Sequence, residues 1–259
     1  MHGSTVVFFH AHPDDEAIFT GLTMRRLADA GVRVVLATAT SGDLGEPLVP
    51  LDPGETLVER RQRELELACV ELGVSRLALF GFRDSGMPGW ADNVHPNALA
   101  VASRGTLARR LADLCVEERA AALVHYDSHG IYGHPDHVAV HLVGRLAARL
   151  ARITGYEATV DREHLHIAHQ TADGDHLVHG ANRTQPTPYG RVTVEIPLAV
   201  AADDATLAAK RRAMAAHASQ IAPEDLELAG FGDVYGLEWY LRDGPAGVVD
   251  QLGNVHAIV

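Results

Sequence analysis

Through the first half of the chain, short unbroken apolar runs alternate with longer stretches in which apolar positions recur at helical spacing. Val6 to Phe9 is β-branched and aromatic with no polar interruption, the pattern of a strand buried on both faces. Val32 to Ala37, Leu77 to Phe82 and Ala121 to Tyr126 repeat it. Asp14-Asp15-Glu16 open a helical stretch that runs through Arg26 to Ala30 and is closed by Gly31. Glu55 to Leu72, Thr106 to Glu118 and Pro135 to Arg152 are the other amphipathic stretches of this half. The alternation predicts an α/β fold: a Rossmann-like, mostly parallel sheet with right-handed crossovers and helices on both faces. Such sheets place ligands at the carboxyl ends of their strands, which singles out the segments after Phe9 and after Tyr126.

Beyond Gly155 the pattern changes. Short strand-like runs, His164 to His169 and Arg191 to Pro197, flank a polar, turn-rich stretch from Thr171 to Gly190. A helix from Asp203 to about Ser219 follows, then a Gly-rich tail. With no long polar linker, repeat or low-complexity tract, the expectation is one domain over residues 1–259. Residues 1–152 form its Rossmann-like core and 153–259 an irregular C-terminal lobe.

Composition supports a large core and narrows the partners. Of 259 residues 47% are hydrophobic, and the mean hydropathy of −0.01 excludes disorder as a global description. Thirty-four acidic against 22 basic side chains leave a net charge of −12, unsuited to gripping nucleic acid or an anionic membrane. No apolar stretch approaches the ~20 residues of a membrane span. No basic region precedes Val6 as in a signal peptide, so a soluble, cytoplasmic protein is expected. Cys69 and Cys115 lie far apart within helical patterns and read as small buried hydrophobes, which excludes a disulfide framework and a cysteine-rich zinc site.

The 16 histidines change the picture through their placement. His164, His166, His169, His176 and His179 fall in a polar region without usable carboxylate spacing and read as solvated loop or strand residues. His10-Ala11-His12-Pro13-Asp14-Asp15-Glu16 instead sets imidazole and three carboxylates directly after a buried strand. Both are ligands for zinc and similar divalent ions. Adjacent aspartates project in different directions, so one can ligate while its neighbour deprotonates water. A helix N-cap accounts for one Asp but not for the set with His12. Tyr132-Gly133-His134-Pro135-Asp136-His137 follows the strand ending at Tyr126. Its two histidines, three apart at a helix start, share a face, where one can ligate and the other stand over substrate. Asp136 is placed to orient an imidazole. His141 reads as a helix-face histidine rather than half of a metal pair.

These two motifs, with Arg83-Asp84-Ser85-Gly86-Met87 between them, resemble the LmbE-like zinc deacetylases, a superfamily that includes N-acetylglucosaminyl-phosphatidylinositol de-N-acetylases and mycothiol-pathway deacetylases. Ser41-Gly42-Asp43-Leu44-Gly45-Glu46, Arg61-x-x-Glu64-Leu65 and His217-Ala218-Ser219-Gln220 extend the resemblance over most of the chain. The resemblance implies that His12, Asp15 and His137 bind Zn²⁺, with iron or another divalent ion as the alternative. It implies Asp14 as general base, and His134, steered by Asp136, as general acid or electrostatic partner of the tetrahedral intermediate. Tyr132 matches a tyrosine that polarises the amide carbonyl, and Arg61, Asp84 and Met87 match positions around the sugar. The implied substrate is a GlcNAc-type amino sugar in a small molecule, and the implied products are acetate and a free amine. An amidase cleaving a larger acyl group is the rival reading. Asp127-Ser128-His129 lacks the Pro that usually follows the Asp, and the loop from Leu48 to Gly54 is this chain's own. Trp90 reads equally as a sugar-stacking or a loop-packing aromatic. Arg109-Arg110 and Lys210-Arg211-Arg212 read as solvated helix faces, and Gly230 to Gly236 follows no strand and opens no convincing helix, so it does not read as a phosphate loop.

Overall fold

The first strand, β1 (Thr5–His10), is buried along its whole length in the computed structural model of the chain, which describes residues 1–171 and 189–253. It runs parallel between β2 (Arg33–Thr40) and β4 (Ala120–Tyr126). With β3 (Val74–Phe82), β5 (Thr154–Thr159), β6 (Leu198–Ala201) and β7 (Leu237–Asp243) these make one sheet in the order β3-β2-β1-β4-β5-β7-β6. The first five strands in that order are parallel, and β7 is antiparallel to both of its neighbours. Val6, Val7, Phe8 and Phe9 are fully buried, each burial worth about 1.5–3 kcal/mol.

The helices that precede β4 are α1 (Asp15–Phe19), α2 (Gly21–Asp29), α3 (Leu57–Leu72) and α4 (Arg104–Glu117). After β4 come a single turn α5 (Gly130–Gly133), then α6 (Pro135–Ala151), α7 (Arg162–Thr171), α8 (Asp204–Ala216) and α9 (Phe231–Tyr235). α2, α3 and α8 pack together, as do α4 and α6. The chain winds outward from β1 to β3 and then crosses back to β4, so strand order reverses between β1 and β4. A crevice at the carboxyl ends of strands forms at such a reversal.

Several sequence expectations are corrected. The helix expected from Asp14 to Ala30 is broken at Thr20, whose hydroxyl lies 2.8 Å from His10 Nε2. His164–His169 is not a strand but part of α7: Asp161 Oδ1 accepts the Glu163 and His164 amides, and Leu165 and Ala168 are buried at helical spacing. Arg191–Pro197 is not a strand but a single parallel bridge, Arg191 to Asp161, followed by the 3₁₀ turn Thr193–Glu195. The Gly-rich tail contains α9 and β7, and Lys210 is not solvated but 1% exposed. One ion pair accounts for both differences. Lys210 Nζ lies 2.8 Å from Glu238 Oε1, while the Glu238 carboxylate also accepts the Leu22 and Thr23 amides at the start of α2. A charge inside an apolar run conceals the strand. His176, His179 and most of the stretch from Thr171 to Gly190 lie outside the described residues.

Candidate active site

Local geometry delivers the residues to the crevice. His12 follows β1 directly, and Asp15 Oδ2 turns back to accept its amide at 2.8 Å, leaving Oδ1 free. Asp14 adopts φ 122°, a strained region for a side chain with a Cβ, at a cost of about 1–3 kcal/mol. The two neighbouring carboxylates therefore diverge. On the opposite side Ile131, at φ 61°, bends α5 so that the chain turns from β4 into α6. Asp127 holds this turn by accepting the His129 and Ile131 amides. His134 caps α6, its Nδ1 accepting the Asp136 amide at 3.1 Å, with Pro135 at the first helical position.

Three side chains converge, with Asp15 turning a different carboxylate oxygen to each histidine. His137 Nε2 lies 3.3 Å from His12 Nδ1 and 3.3 Å from Asp15 Oδ1, and His12 Nδ1 lies 3.4 Å from Asp15 Oδ2. A tetrahedron with bonds of 2.0–2.1 Å, the length of zinc–nitrogen and zinc–oxygen bonds, has edges of about 3.3–3.4 Å. His12 Nε2 faces Asp136 Oδ2 at 3.2 Å, so its proton belongs there and the Nδ1 lone pair faces the triangle. His137 stacks on Tyr126, ring centroids 4.5 Å apart. The donor set and its spacing fit a divalent ion.

Around the triangle lies a cavity of about 310 Å³. Asp14, Asp84, Arg61, His134, Tyr132 and Met87 all line it, alongside His12 and Asp15. Burial pushes the Asp14 carboxyl up to about 6, against the pull of the Arg61 guanidinium. Burial, reinforced by His12 and His137, pushes the His134 imidazole down to about 3. Its Nδ1 accepts a backbone N–H, so the neutral ring carries its proton on Nε2, 3.8 Å from Asp84 Oδ1. Tyr132 Oη lies 3.4 Å from His137 Nε2.

Two placements differ from expectation. The Asp136 carboxylate does not reach His134; it is taken by His12 Nε2 and by the amide and hydroxyl of Ser85. Arg61 borders the cavity but spends its Nη donors on Pro13 O, Gly42 O, Gln220 Oε1 and Asp14 Oδ2. The sequence motifs by themselves assign no role to Ser85, Gln220, Glu16 or His217. All but Ser85 are bound into the surroundings of Asp14: Glu16 Oε2 accepts its amide at 3.0 Å, and His217 Nε2 lies 2.6 Å from Glu16 Oε1. The signal was present, since Glu16 closes one motif and His217 opens another. Their long separation hid the contact. Trp90 also lines the cavity, 49% exposed, lying against Gly86 where a Cβ would collide with its ring. His141 is buried, 3.0 Å from Tyr126 O and outside the donor triangle. Cys69 and Cys115 are free and buried.

The sequence profile of the GlcNAc-PI de-N-acetylase family, PIG-L, matches residues 7–148. A 1D-myo-inositol 2-acetamido-2-deoxy-alpha-D-glucopyranoside deacetylase of Salinispora arenicola is 37% identical over 260 residues, covering 91% of this chain and 83% of that protein. One of the same name from Acidothermus cellulolyticus is 37% identical over 258 residues, covering 92% and 88%. The crystal structure of the A40926 pseudoaglycone deacetylase superposes with a TM-score of 0.64 at 17% identity, over 94% of this chain and 98% of that one, a likeness of fold. Among the described residues no helix is long and apolar enough to cross a membrane.

Proposed function

The chain belongs to the GlcNAc-PI de-N-acetylase (PIG-L) family, and on that premise we propose that it hydrolyses the N-acetyl group of a GlcNAc-type amino sugar in a small glycoside, releasing acetate and a free amine. The observation that carries the reading is the divergence of Asp14 from Asp15: one carboxylate joins the donor triangle, and the other faces the cavity beside it.

His12, Asp15 and His137 would hold zinc, which when bound supplies Lewis acidity toward water and the acetamide carbonyl. Asp14 accepts a proton from the attacking water, a task suited to a carboxyl raised toward neutrality. Water oxygen bonds to the carbonyl carbon, and charge develops on the former carbonyl oxygen. The Nε2–H of neutral His134 and the hydroxyl of Tyr132 are hydrogen-bond donors on the cavity wall for that charge. The C–N bond breaks as the proton held by Asp14 passes to the leaving nitrogen. Of the two roles for His134, the committed Nδ1 favours that of electrostatic partner. Asp84 and Met87 face the sugar, and Arg61 serves it through Asp14.

Acetate release from a panel of N-acetylglucosaminides, by zinc-loaded protein with and without chelator, tests this. Release that chelator abolishes and added zinc restores is expected. No release, or release indifferent to chelator, overturns the reading.

A further inference from the structure

Glu16 and His217 are ionisable, fully buried and unused by the chemistry above. Glu16 stands with its two oxygens turned to different partners: Oε1 to His217 Nε2 at 2.6 Å, and Oε2 to the Asp14 amide at 3.0 Å. That amide belongs to the residue whose φ of 122° aims its carboxylate into the cavity. His217 lies at the end of α8, and its carbonyl accepts the amides of Gln220 and Ile221. From this same turn Gln220 Oε1 receives Arg61 Nη1, and Arg61 Nη2 reaches Asp14 Oδ2 at 3.0 Å. The segment 217–220 thus grips Asp14 twice, at the backbone through Glu16 and at the carboxylate through Arg61.

A strained φ persists only where its surroundings over-determine it. Without an acceptor for its amide, the Asp14 peptide is free to relax, and the carboxylate swings with it. We propose that His217, acting through Glu16, is a positioning residue that fixes the Asp14 carboxylate toward the substrate, so that the C-terminal half of the chain sets the competence of the base. This rests on the assignment of Asp14 as base.

The experiment compares zinc-loaded wild type with His217→Gln, whose side-chain amide can still donate to Glu16, and His217→Leu, which cannot. Because His217→Leu strands a buried carboxylate, the double variant Glu16→Met/His217→Leu is included, since apolar residues commonly replace a buried ion pair without loss of the fold. For both Leu-containing variants kcat should fall by roughly 10²-fold, the cost of a displacement near 1 Å, with KM and bound zinc unchanged. His217→Gln should recover most of kcat. A crystal structure of the double variant should show Asp14 departing from its positive φ. The proposal is overturned if the double variant keeps wild-type kcat, if His217→Gln is as impaired as the double variant, or if zinc is lost in step with rate. A zinc-loaded wild type without deacetylase activity would refute the functional assignment instead, and the Asp14 conformation in the double variant would still report on the clamp.

Discussion

Asp136 Oδ2 lies 3.2 Å from His12 Nε2, while its own amide, not its carboxylate, is what meets His134. The carboxylate thereby fixes the tautomer of a donor-triangle residue. Outer partners of this kind typically contribute 10–100-fold to metal affinity. Asp136→Asn should weaken zinc binding by about that factor, measured by competition with a chromophoric chelator. Unchanged affinity would show that His12 is oriented without it.

His137→Ala removes one corner of the triangle. Bound metal should fall to a small fraction of one ion per chain on elemental analysis, and turnover with it. Stoichiometric zinc in this variant would mean that the triangle is not the metal centre.

Asp14 and Asp15 are chemically alike and differ only in where the backbone sends them. Asp14→Asn should retain zinc while kcat drops ~10²–10⁴-fold, the usual span of a general base. Asp15→Asn should lose zinc first. Parallel loss of metal and rate in both variants contradicts the division.

The Asp84 carboxylate is buried at the cavity wall, its Oδ1 3.6 Å from His12 Nε2 and 3.8 Å from His134 Nε2. A wall built to pair with hydroxyls discriminates strongly against ligands lacking them, because its polar groups are then left unpaired. We expect kcat/KM for N-acetylglucosamine conjugates far above that for acetyl-lysine peptides. Asp84→Ala should erase most of that gap without changing metal content. Equal values for the two substrates in the wild type would remove the sugar from the assignment.

Away from the site, Lys210→Met should lower stability by about 3–5 kcal/mol, the cost of breaking a buried ion pair from one side. Denaturant unfolding measures it. A loss below about 1 kcal/mol would show that the amides at the start of α2 already satisfy Glu238.

Where burial follows apolarity, the chain was legible: β1 to β4 and α3, α4 and α6 lie within a few residues of where periodicity put them. It failed where charge is buried. Glu238 and Lys210 look like surface residues in sequence, yet they neutralise each other inside the sheet's covering and take β7 and one face of α8 with them. The site divided the same way. His12, Asp14, Asp15, His134 and His137 were readable because short motifs place them at two strand ends that the topology makes neighbours. Glu16 and His217 were not, because 201 positions separate them. The exchange of Asp136 from His134 to His12 was equally hidden, for only geometry decides which of two adjacent rings a carboxylate meets.

Because His134 Nδ1 is spent on the first turn of α6, the ring opens to protons on one side only. The proton it carries on Nε2 can be shared and recovered only at Nε2, so this imidazole is a turnstile rather than a wire. Traffic between substrate and enzyme stays within the cavity.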